Sequence, residues 1–185
     1  MLTATNTEAY LNAFAQRVLQ QAQLELGAYR TEDGKRRRID STGKLRNSLP
    51  GSYSLKMMPN SMSLKFFEEN EAWQTYGYVI DKGRRPGKMP PTDAIKKWIK
   101  QKPLRLRNLK KGSFVKMTES KVDSVAFAIA KKIKEKGTNP TYFFTTPFRL
   151  AFETLPQELG QAYALDVADF LRFTLDHSTK PIKNT

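Results

Sequence analysis

"SYSLKMMPNSMSLKFF", the stretch from Ser52 to Phe67, decides the fold of this chain. Apolar residues alternate with serine and lysine on both sides of a central Pro-Asn pair. A period of two predicts strands with one buried face, and a turn between two such runs predicts a β-hairpin. A third strand is predicted at "YGYVID", from Tyr76 to Asp81, with Gly83 ending it.

Helices are predicted near both ends of the chain. Apolar residues recur at three- and four-residue steps from about Thr7 to Tyr29, with Thr7 as the cap of that helix. Near the other end, Pro147 is predicted in the first turn of one helix, and Pro156 starts a second that runs to about Asp176. These helices can cover the apolar face of the hairpin. The sequence therefore predicts an α+β fold, a small antiparallel sheet packed by long N-terminal and C-terminal helices.

A basic helical segment lies between the predicted third strand and the C-terminal helices. Its first helix is capped by Thr92 and turns Trp98 toward the inside. Its second helix is predicted to start with a capping box of Ser120 and Asp123 and to end at Gly137. The apolar stripe of the second helix comprises Val122, Val125, Ala126, Ile129 and Ile133.

The length of the chain suits one domain, because 185 residues can bury a core of useful size. We expect a single domain over residues 1–185, with residues 84–140 as a basic helical insertion and residues 177–185 as a flexible tail. The longest apolar run, Val125–Ala130, is too short to span a membrane. The first ten residues lack the pattern of a signal peptide, so we expect a soluble product of the cytoplasm.

Positive charge is concentrated in one part of the chain. The formal net charge is +14, and the stretch from Lys82 to Lys116 holds thirteen Lys/Arg and one acid, Asp93. From Pro147 to the end there are four bases and five acids. Such asymmetry indicates a polyanion or an acidic protein as partner, with phosphate contact, subunit contact and plain solvation as the alternatives. The candidate contact residues are Arg84, Arg85, Lys88, Arg105, Arg107, Lys110 and Lys111.

Catalytic and metal-binding chemistry has few candidate residues. The chain has no cysteine, which excludes thiolate chemistry, and its single histidine, His177, is predicted to be solvated beside the tail. Glu68, Glu69 and Asp81 resemble a carboxylate cluster for the divalent metal of a nuclease. Acids at a turn between strands are more often there for solubility. We therefore expect no catalysis, no cofactor and no bound metal.

Three short segments resemble one protein family. "STGKLRNSL", Ser41–Leu49, resembles the threonine-glycine-x-leucine-arginine-x-serine signature of the head–tail connector proteins of tailed bacteriophages, which are tail-completion or neck proteins. "YGYVIDKG" resembles a later strand of that family, and "TPFRLAF" resembles its C-terminal segment, in the same order along the chain. The matching positions of the first two segments are Thr42, Gly43, Leu45, Ser48, Tyr78, Asp81 and Gly83.

The resemblance implies a structural virion protein without enzymatic activity. It implies a homo-oligomeric ring in the neck that joins the portal or an adaptor to tail proteins around the passage for double-stranded DNA. Such a protein is assembled in the host cytoplasm and has no membrane partner.

The residues alone leave a second function open, a basic nucleic-acid-binding protein that acts by itself.

The segment "TYFFTTPFRLAF" holds five aromatics in twelve residues. The edge of a small hydrophobic core needs fewer aromatic side chains than this segment holds. Part of the segment is therefore predicted to form an interface. The interface candidates are Phe143, Phe144 and Phe148.

Overall fold

A computed structural model describes residues 4–28, 42–58, 61–101, 114 and 117–178 of the chain. The chain divides into two compact units. The hairpin unit comprises Met1–Glu25, Ser48–Asn70 and Phe143–Thr185, and the insertion unit comprises Leu26–Asn47 and Glu71–Tyr142. The predicted insertion, residues 84–140, lies inside the insertion unit, which extends beyond it on both sides.

The first helix, α1, spans Thr5–Ala28 and confirms the predicted N-terminal helix. All five apolar positions of the predicted helix are buried, namely Leu11, Phe14, Val18, Ala22 and Leu26. Thr7 lies inside the first turn, so its prediction as the cap is wrong. The cap is supplied instead by Asp166, a carboxylate from the far end of the chain.

The predicted β-hairpin is confirmed. Strand β1, Tyr53–Met58, pairs antiparallel with strand β2, Ser61–Phe66, and the connecting residues 59–60 lie outside the described part. The register keeps the alternation in step, so that apolar side chains from both strands share one face of the pleat. The directly opposed apolar pairs are Tyr53 with Phe66, Leu55 with Leu64, and Met57 with Met62.

The predicted third strand is wrong. A π-helical turn, Trp73–Gly77, leads directly into helix α3, Tyr78–Lys82. Tyr78 is 58% exposed, so the alternation of apolar residues in this stretch does not mark one buried face. Gly83 ends the element as predicted, with φ of 73°, but the element that it ends is a helix.

Close packing around Gly77 explains the helical conformation of this stretch. A Cβ atom on the buried Gly77 would lie 2.9 Å from Cε3 of Trp73 and 3.0 Å from Cδ1 of Leu45. Leu45 belongs to the short helix α2, Lys44–Ser48, and is fully buried. A helical turn places residues four apart on one face, which brings Gly77 under Trp73 and leaves room for the leucine. Tertiary packing therefore overrides the β-like composition of the segment.

Two helices, α4 at Thr92–Gln101 and α5 at Glu119–Lys136, form the basic helical segment. Helix α5 starts at a Thr118 cap, whose hydroxyl accepts a 3.4 Å hydrogen bond from the amide of Lys121. The predicted capping box of Ser120 and Asp123 is therefore wrong, because those residues lie within the helix. Gly137 ends α5 as predicted.

The core between α4 and α5 contains the predicted stripe of α5, whereas two of the four apolar positions predicted for the inner side of α4, Ala94 and Trp98, are exposed. Ile95 and Ile99 of α4 are buried against Val122, Ala126 and Ala130 of α5. Trp98 was predicted to pack inward, but it is 36% exposed, because it lies at the margin of the face that the two isoleucines define. Partly buried residues that complete this core are Met89, Met117, Val125, Ile129 and Ile133.

Helix α6 spans Thr145–Ser178 without interruption, and the prediction of two separate C-terminal helices is wrong. Pro156 lies inside it, where proline removes one helical hydrogen bond. Contacts with α1 on both sides of the proline keep the helix continuous. Phe148 packs edge-on against Phe14 with ring centroids 6.3 Å apart, and Glu158 accepts a 3.0 Å hydrogen bond from Tyr10. The predicted tail from residue 177 therefore begins as helix, and residues 179–185 lie outside the described part.

The observed architecture is an α+β fold of mainly helices with one two-stranded antiparallel sheet, as predicted. Among the described helices, none combines the length and the apolar character that a membrane crossing requires.

Candidate interaction surface of the insertion unit

The base of the α4–α5 segment is closed by a two-residue β-bridge. Arg84 and Thr138 exchange main-chain hydrogen bonds, of 3.1 Å from the Arg84 amide and 2.8 Å from the Thr138 amide. Gly83 and Gly137 flank the bridge, and both have φ of 73°. A Cβ atom on Gly83 would lie 2.5 Å from the Thr138 carbonyl oxygen. Only glycine permits so close an approach of two main chains at this backbone conformation.

Arg84 is part of this base. Its guanidinium donates a hydrogen bond to the carbonyl oxygen of Lys88, and the amide of Gly87 donates one of 2.8 Å to the carbonyl oxygen of Lys134. These bonds fix the loop that follows the bridge and attach it to the end of α5. Arg84 was predicted as a phosphate or partner contact, but its guanidinium already holds the loop in place.

Arg85 and Lys88 are the exposed bases of this loop. Both were predicted as contact residues, and the fixed loop presents their side chains on one short segment. The other four predicted contact residues, Arg105, Arg107, Lys110 and Lys111, lie outside the described residues.

The lysines of α4 are largely paired with acids of α5. The ammonium of Lys96 lies 2.9 Å from Asp123 and 3.4 Å from Asp93, and Lys100 lies 2.9 Å from Glu119. The hydrogen bond to Asp123, together with a weaker one to Asp93, raises the pKa of Lys96 above its usual value. From the sequence alone, the lysines of α4 would be a solvated basic face. In the structure, Lys96 and Lys100 instead form ion pairs with acids of α5. Exposed ion pairs of this kind contribute little stability but fix orientation.

The first family-like segment folds around α2. Gly43 is buried with φ of 79°, and the hydroxyl of Thr42 accepts a 3.4 Å hydrogen bond from the amide of Lys44. Leu45 contacts the second family-like segment at Gly77, so the two segments meet within the insertion unit.

Ser48, the serine that ends the signature in the first family-like segment, belongs to the hairpin unit. The amide group of the buried Asn70 donates hydrogen bonds of 2.9 Å to the Ser48 carbonyl oxygen and 2.7 Å to the Ser52 hydroxyl. These bonds fix the turn that leads into β1.

Two of the acids considered for a metal site, Asp81 and Glu68, interact with groups of the protein. Asp81 is fully buried in the insertion unit with the ammonium of Lys82 at 3.7 Å, and its carbonyl oxygen accepts the amide of Tyr142 at 3.0 Å. Glu68 is exposed, and hydrogen bonds from Lys65 and then Ser54 hold its pKa below the usual value. The described residues contain no group of three or more His, Asp or Glu arranged to hold a metal ion.

Two of the three predicted interface aromatics, Phe144 and Phe148, lie in an aromatic cluster of the hairpin unit. Phe143 is 1% exposed and is a core residue, so it does not present an interface side chain. Phe144 and Phe148 are half-buried, and Phe144 packs edge-on against Phe67 with centroids 4.7 Å apart. The remaining members of the cluster are Phe14, Phe66 and Phe152.

Asp166 is a structural residue that the sequence analysis missed. It is 2% exposed and accepts hydrogen bonds from the amide of Asn6 at 2.7 Å and from the amide and hydroxyl of Thr7 at 2.9 and 2.6 Å. Burial by itself raises the pKa of Asp166, but these hydrogen bonds outweigh it and hold the pKa below its usual value. Its signal in the sequence is an acid four residues after the buried Ala162, on the core-facing side of α6.

Comparisons with protein-family models, with curated proteins and with solved structures found no match to this chain.

Proposed function

We propose that this protein is a structural component of a tailed-phage virion that forms a ring in the neck. In this role it joins the portal or an adaptor to the tail around the DNA passage and performs no catalysis. The observation that carries the proposal is the contact between Leu45 and Gly77. It brings together the two family-like segments, which are far apart in the sequence, and both positions are buried.

The sheet supports a role in assembly. In the described part of the chain, β1 and β2 pair only with each other, so each strand has an outer edge. Such edges are protected in stable proteins, and a neighbouring subunit is one way to protect them. The helical conformation of Tyr78–Lys82 departs from the strand that the family resemblance implies.

A second function, a nucleic-acid-binding protein that acts alone, is favoured by a specific observation. Arg85, Lys88 and Lys97 are exposed and belong to a chain with a net charge of +14. Such a surface binds phosphate backbones without regard to sequence. We rank it second because Lys96 and Lys100 of the same segment are paired with acids.

Deletion of the gene from the phage that carries it tests the proposed function. We expect DNA-filled heads and free tails to accumulate separately, as seen by electron microscopy, and purified protein to restore joined particles. Joined, infectious particles formed without the protein would contradict the proposal. A tight complex of the monomer with DNA, together with normal joining, would favour the second function.

A further inference from the structure

One hydrogen bond shows which main-chain groups of the hairpin point outward. The amide of Phe67 donates a 2.9 Å hydrogen bond to the carbonyl oxygen of Ser52, one step beyond the pair of Tyr53 with Phe66. Because hydrogen-bonded and non-hydrogen-bonded pairs alternate along an antiparallel ladder, the pairs of serine with lysine are the hydrogen-bonded ones. The pairs whose amide and carbonyl groups point away from the hairpin are Leu55 with Leu64 and Met57 with Met62.

Both outer edges of the hairpin are open to a further strand within the described part of the chain. No other described segment pairs with β1 or β2, and neither strand contains a proline or a break in register. An edge of this kind is a template for pairing with another chain. The amide of Tyr53 already donates a 2.8 Å hydrogen bond to the carbonyl oxygen of Gly51, so the open part of the β1 edge begins at Leu55.

The apolar face of the hairpin is only partly covered within one chain. Leu55, Met57 and Leu64 are half-buried, and Met62 is 44% exposed. A sheet of two strands is marginally stable by itself, and further strands extend both its ladder and its apolar face. A second hairpin beside this one carries the same alternation of apolar and polar residues, so it continues both.

The chain itself supplies a matching strand for each edge. Within the hairpin, β1 pairs with β2 over the whole length of both strands. The β2 edge of one copy and the β1 edge of another bring together the same residues in the same antiparallel sense, so the register of the hairpin can repeat between copies. A slip of one residue would instead set apolar residues opposite polar ones.

The lysines of the two strands favour the repeated register. In that register Lys65 lies opposite Ser54 of the other copy, and Ser63 lies opposite Lys56, as within the hairpin. A slip of two residues in one direction brings Lys65 opposite Lys56, and like charges directly opposite each other destabilise a sheet. Edge lysines also discourage pairing with unrelated strands. The edges are therefore more selective than plain apolar strands.

We propose that the β2 edge of one copy pairs antiparallel with the β1 edge of a second copy of this chain. Leu64 lies opposite Leu55, and Met62 lies opposite Met57. The two edges are different, so the contact repeats head to tail, and such contacts close into a ring when the rotation between copies allows it. A closed ring leaves no strand edge unpaired. The inference rests on the proposed function, to which it adds the subunit contact.

Cysteine cross-linking tests the contact directly, because the natural chain has no cysteine. Between copies, Lys56 and Ser63 form a non-hydrogen-bonded pair, in which the side chains approach closely enough for a disulfide. Lys56→Cys and Ser63→Cys are prepared separately, mixed, left to exchange subunits and oxidised mildly. We expect at least about 10-fold more covalent dimer in the mixture than in either variant alone. Equal amounts in the three samples would overturn the proposal.

Proline substitution tests the edges one at a time. Proline at an outward-pointing position removes the edge donor but no hydrogen bond of the hairpin. Met62→Pro blocks the β2 edge, and Met57→Pro blocks the β1 edge. We expect each variant alone to be monomeric in sedimentation experiments. Their equimolar mixture is expected to form a complex of two chains that grows no further, because only one intact edge of each kind remains.

The matched controls are Met57→Val and Met62→Val, which change the same side chains and keep both amides. We expect them to associate like wild type, and circular dichroism checks that every variant is folded. A Met57→Pro protein that dimerises by itself would assign the contact to two β2 edges and overturn the head-to-tail pairing. Proline variants that both associate like wild type would overturn edge pairing altogether.

Failure of this inference is distinguishable from failure of the proposed function. If the mixed cysteine variants restore head–tail joining but give no cross-link in the joined particles, the contact is overturned and the neck role stands. If the proline variants lose self-association but restore joining fully, the contact is sustained and the ring in the neck is contradicted.

Discussion

Arg84 and Thr138 exchange both main-chain hydrogen bonds of an antiparallel bridge, although helices α4 and α5 lie between them in the chain. The bridge joins the two ends of this segment at its base. Gly83 and Gly137 make it possible, because a Cβ atom on Gly137 would lie 2.0 Å from the carbonyl oxygen of Arg84. The conformation of the insertion unit therefore depends on two residues that carry no side chain.

Substitution of Gly137 is expected to destabilise the insertion unit strongly. Gly137→Ala adds a clash with the Arg84 carbonyl to the cost of a positive φ, so we expect the free energy of unfolding to fall by about 3 kcal/mol. Both tryptophans of the chain, Trp73 and Trp98, belong to the insertion unit. Tryptophan fluorescence during urea unfolding therefore reports on this unit.

Gly51→Ala is the matched control for Gly137→Ala. Gly51 has φ of 74°, but an added Cβ would meet no atom within 4 Å. We expect a loss of about 1 kcal/mol from the backbone conformation alone. Equal losses for Gly51→Ala and Gly137→Ala would show that the close approach to Arg84 does not contribute.

Replacement of Asp166 is expected to loosen the start of α1. Asp166→Asn removes a buried carboxylate that accepts the Asn6 and Thr7 amides, and we expect a loss of about 2 kcal/mol at neutral pH. The measurement is hydrogen exchange of the first-turn amides of α1 together with denaturant unfolding followed by circular dichroism. Asp169→Asn, which affects an exposed 3.2 Å bond from Asn6 and an exposed ion pair with Arg172, serves as the control and is expected to have a small effect.

The effect of Asp166→Asn is expected to depend on pH in a defined direction. Hydrogen bonds hold the pKa of Asp166 in the folded chain below the ordinary value of 3.8. The stabilisation by the carboxylate is therefore complete above about pH 4 and is lost as the pH falls through the folded pKa. The stability difference between wild type and Asp166→Asn should shrink below that pH. A difference that grows on acidification would contradict this role of the carboxylate.

Sequence patterns predicted the elements whose signal is local. The hairpin from Tyr53 to Phe66 and the apolar stripe of α5 followed from periodicity, because each period matches the geometry of one element. The segment around Gly77 was predicted as a strand because its composition is β-like, whereas its conformation depends on Leu45, about thirty residues earlier.

The roles of charged residues were the least predictable part of the surface. Lys96 and Asp123 look like independent surface charges in the sequence, and their pairing depends on how α4 and α5 pack. Asp166 likewise acquires its role from a helix about 160 residues away in the chain. The continuity of α6 through Pro156 also depends on contacts with α1, and the local sequence around Pro156 does not reveal these contacts.

Phe143 variants are expected to report on folding of the hairpin unit and not on an interface. Phe143→Ala empties a core position that is 1% exposed, so we expect a loss of about 3–5 kcal/mol in denaturant unfolding. Phe152→Ala, at a position 50% exposed, is the control and should cost less than about 1 kcal/mol. A folded Phe143→Ala protein of normal stability that fails to assemble would restore Phe143 as an interface residue.

The exposed bases of the insertion unit allow a separate test of DNA contact. Arg85→Ala with Lys88→Ala changes the two exposed bases of the loop and keeps Arg84, whose guanidinium holds the loop through the Lys88 carbonyl oxygen. If both side chains neutralise phosphates, the slope of log affinity against log salt should flatten by about 1.8. Adding Lys110→Ala and Lys111→Ala extends the test to the basic stretch that follows α4.

We expect the salt slope to remain unchanged and docking to the portal or an adjacent ring to weaken. Under the proposed function, a channel through which DNA must slide gains little from side chains that bind the phosphate backbone, whereas a basic loop on an acidic neighbour would fix the register of two rings. The control is Lys121→Ala, which removes an exposed lysine at the start of α5 and leaves the loop intact. A slope that flattens by the full amount, with docking intact, would assign the loop to DNA and favour the nucleic-acid-binding function.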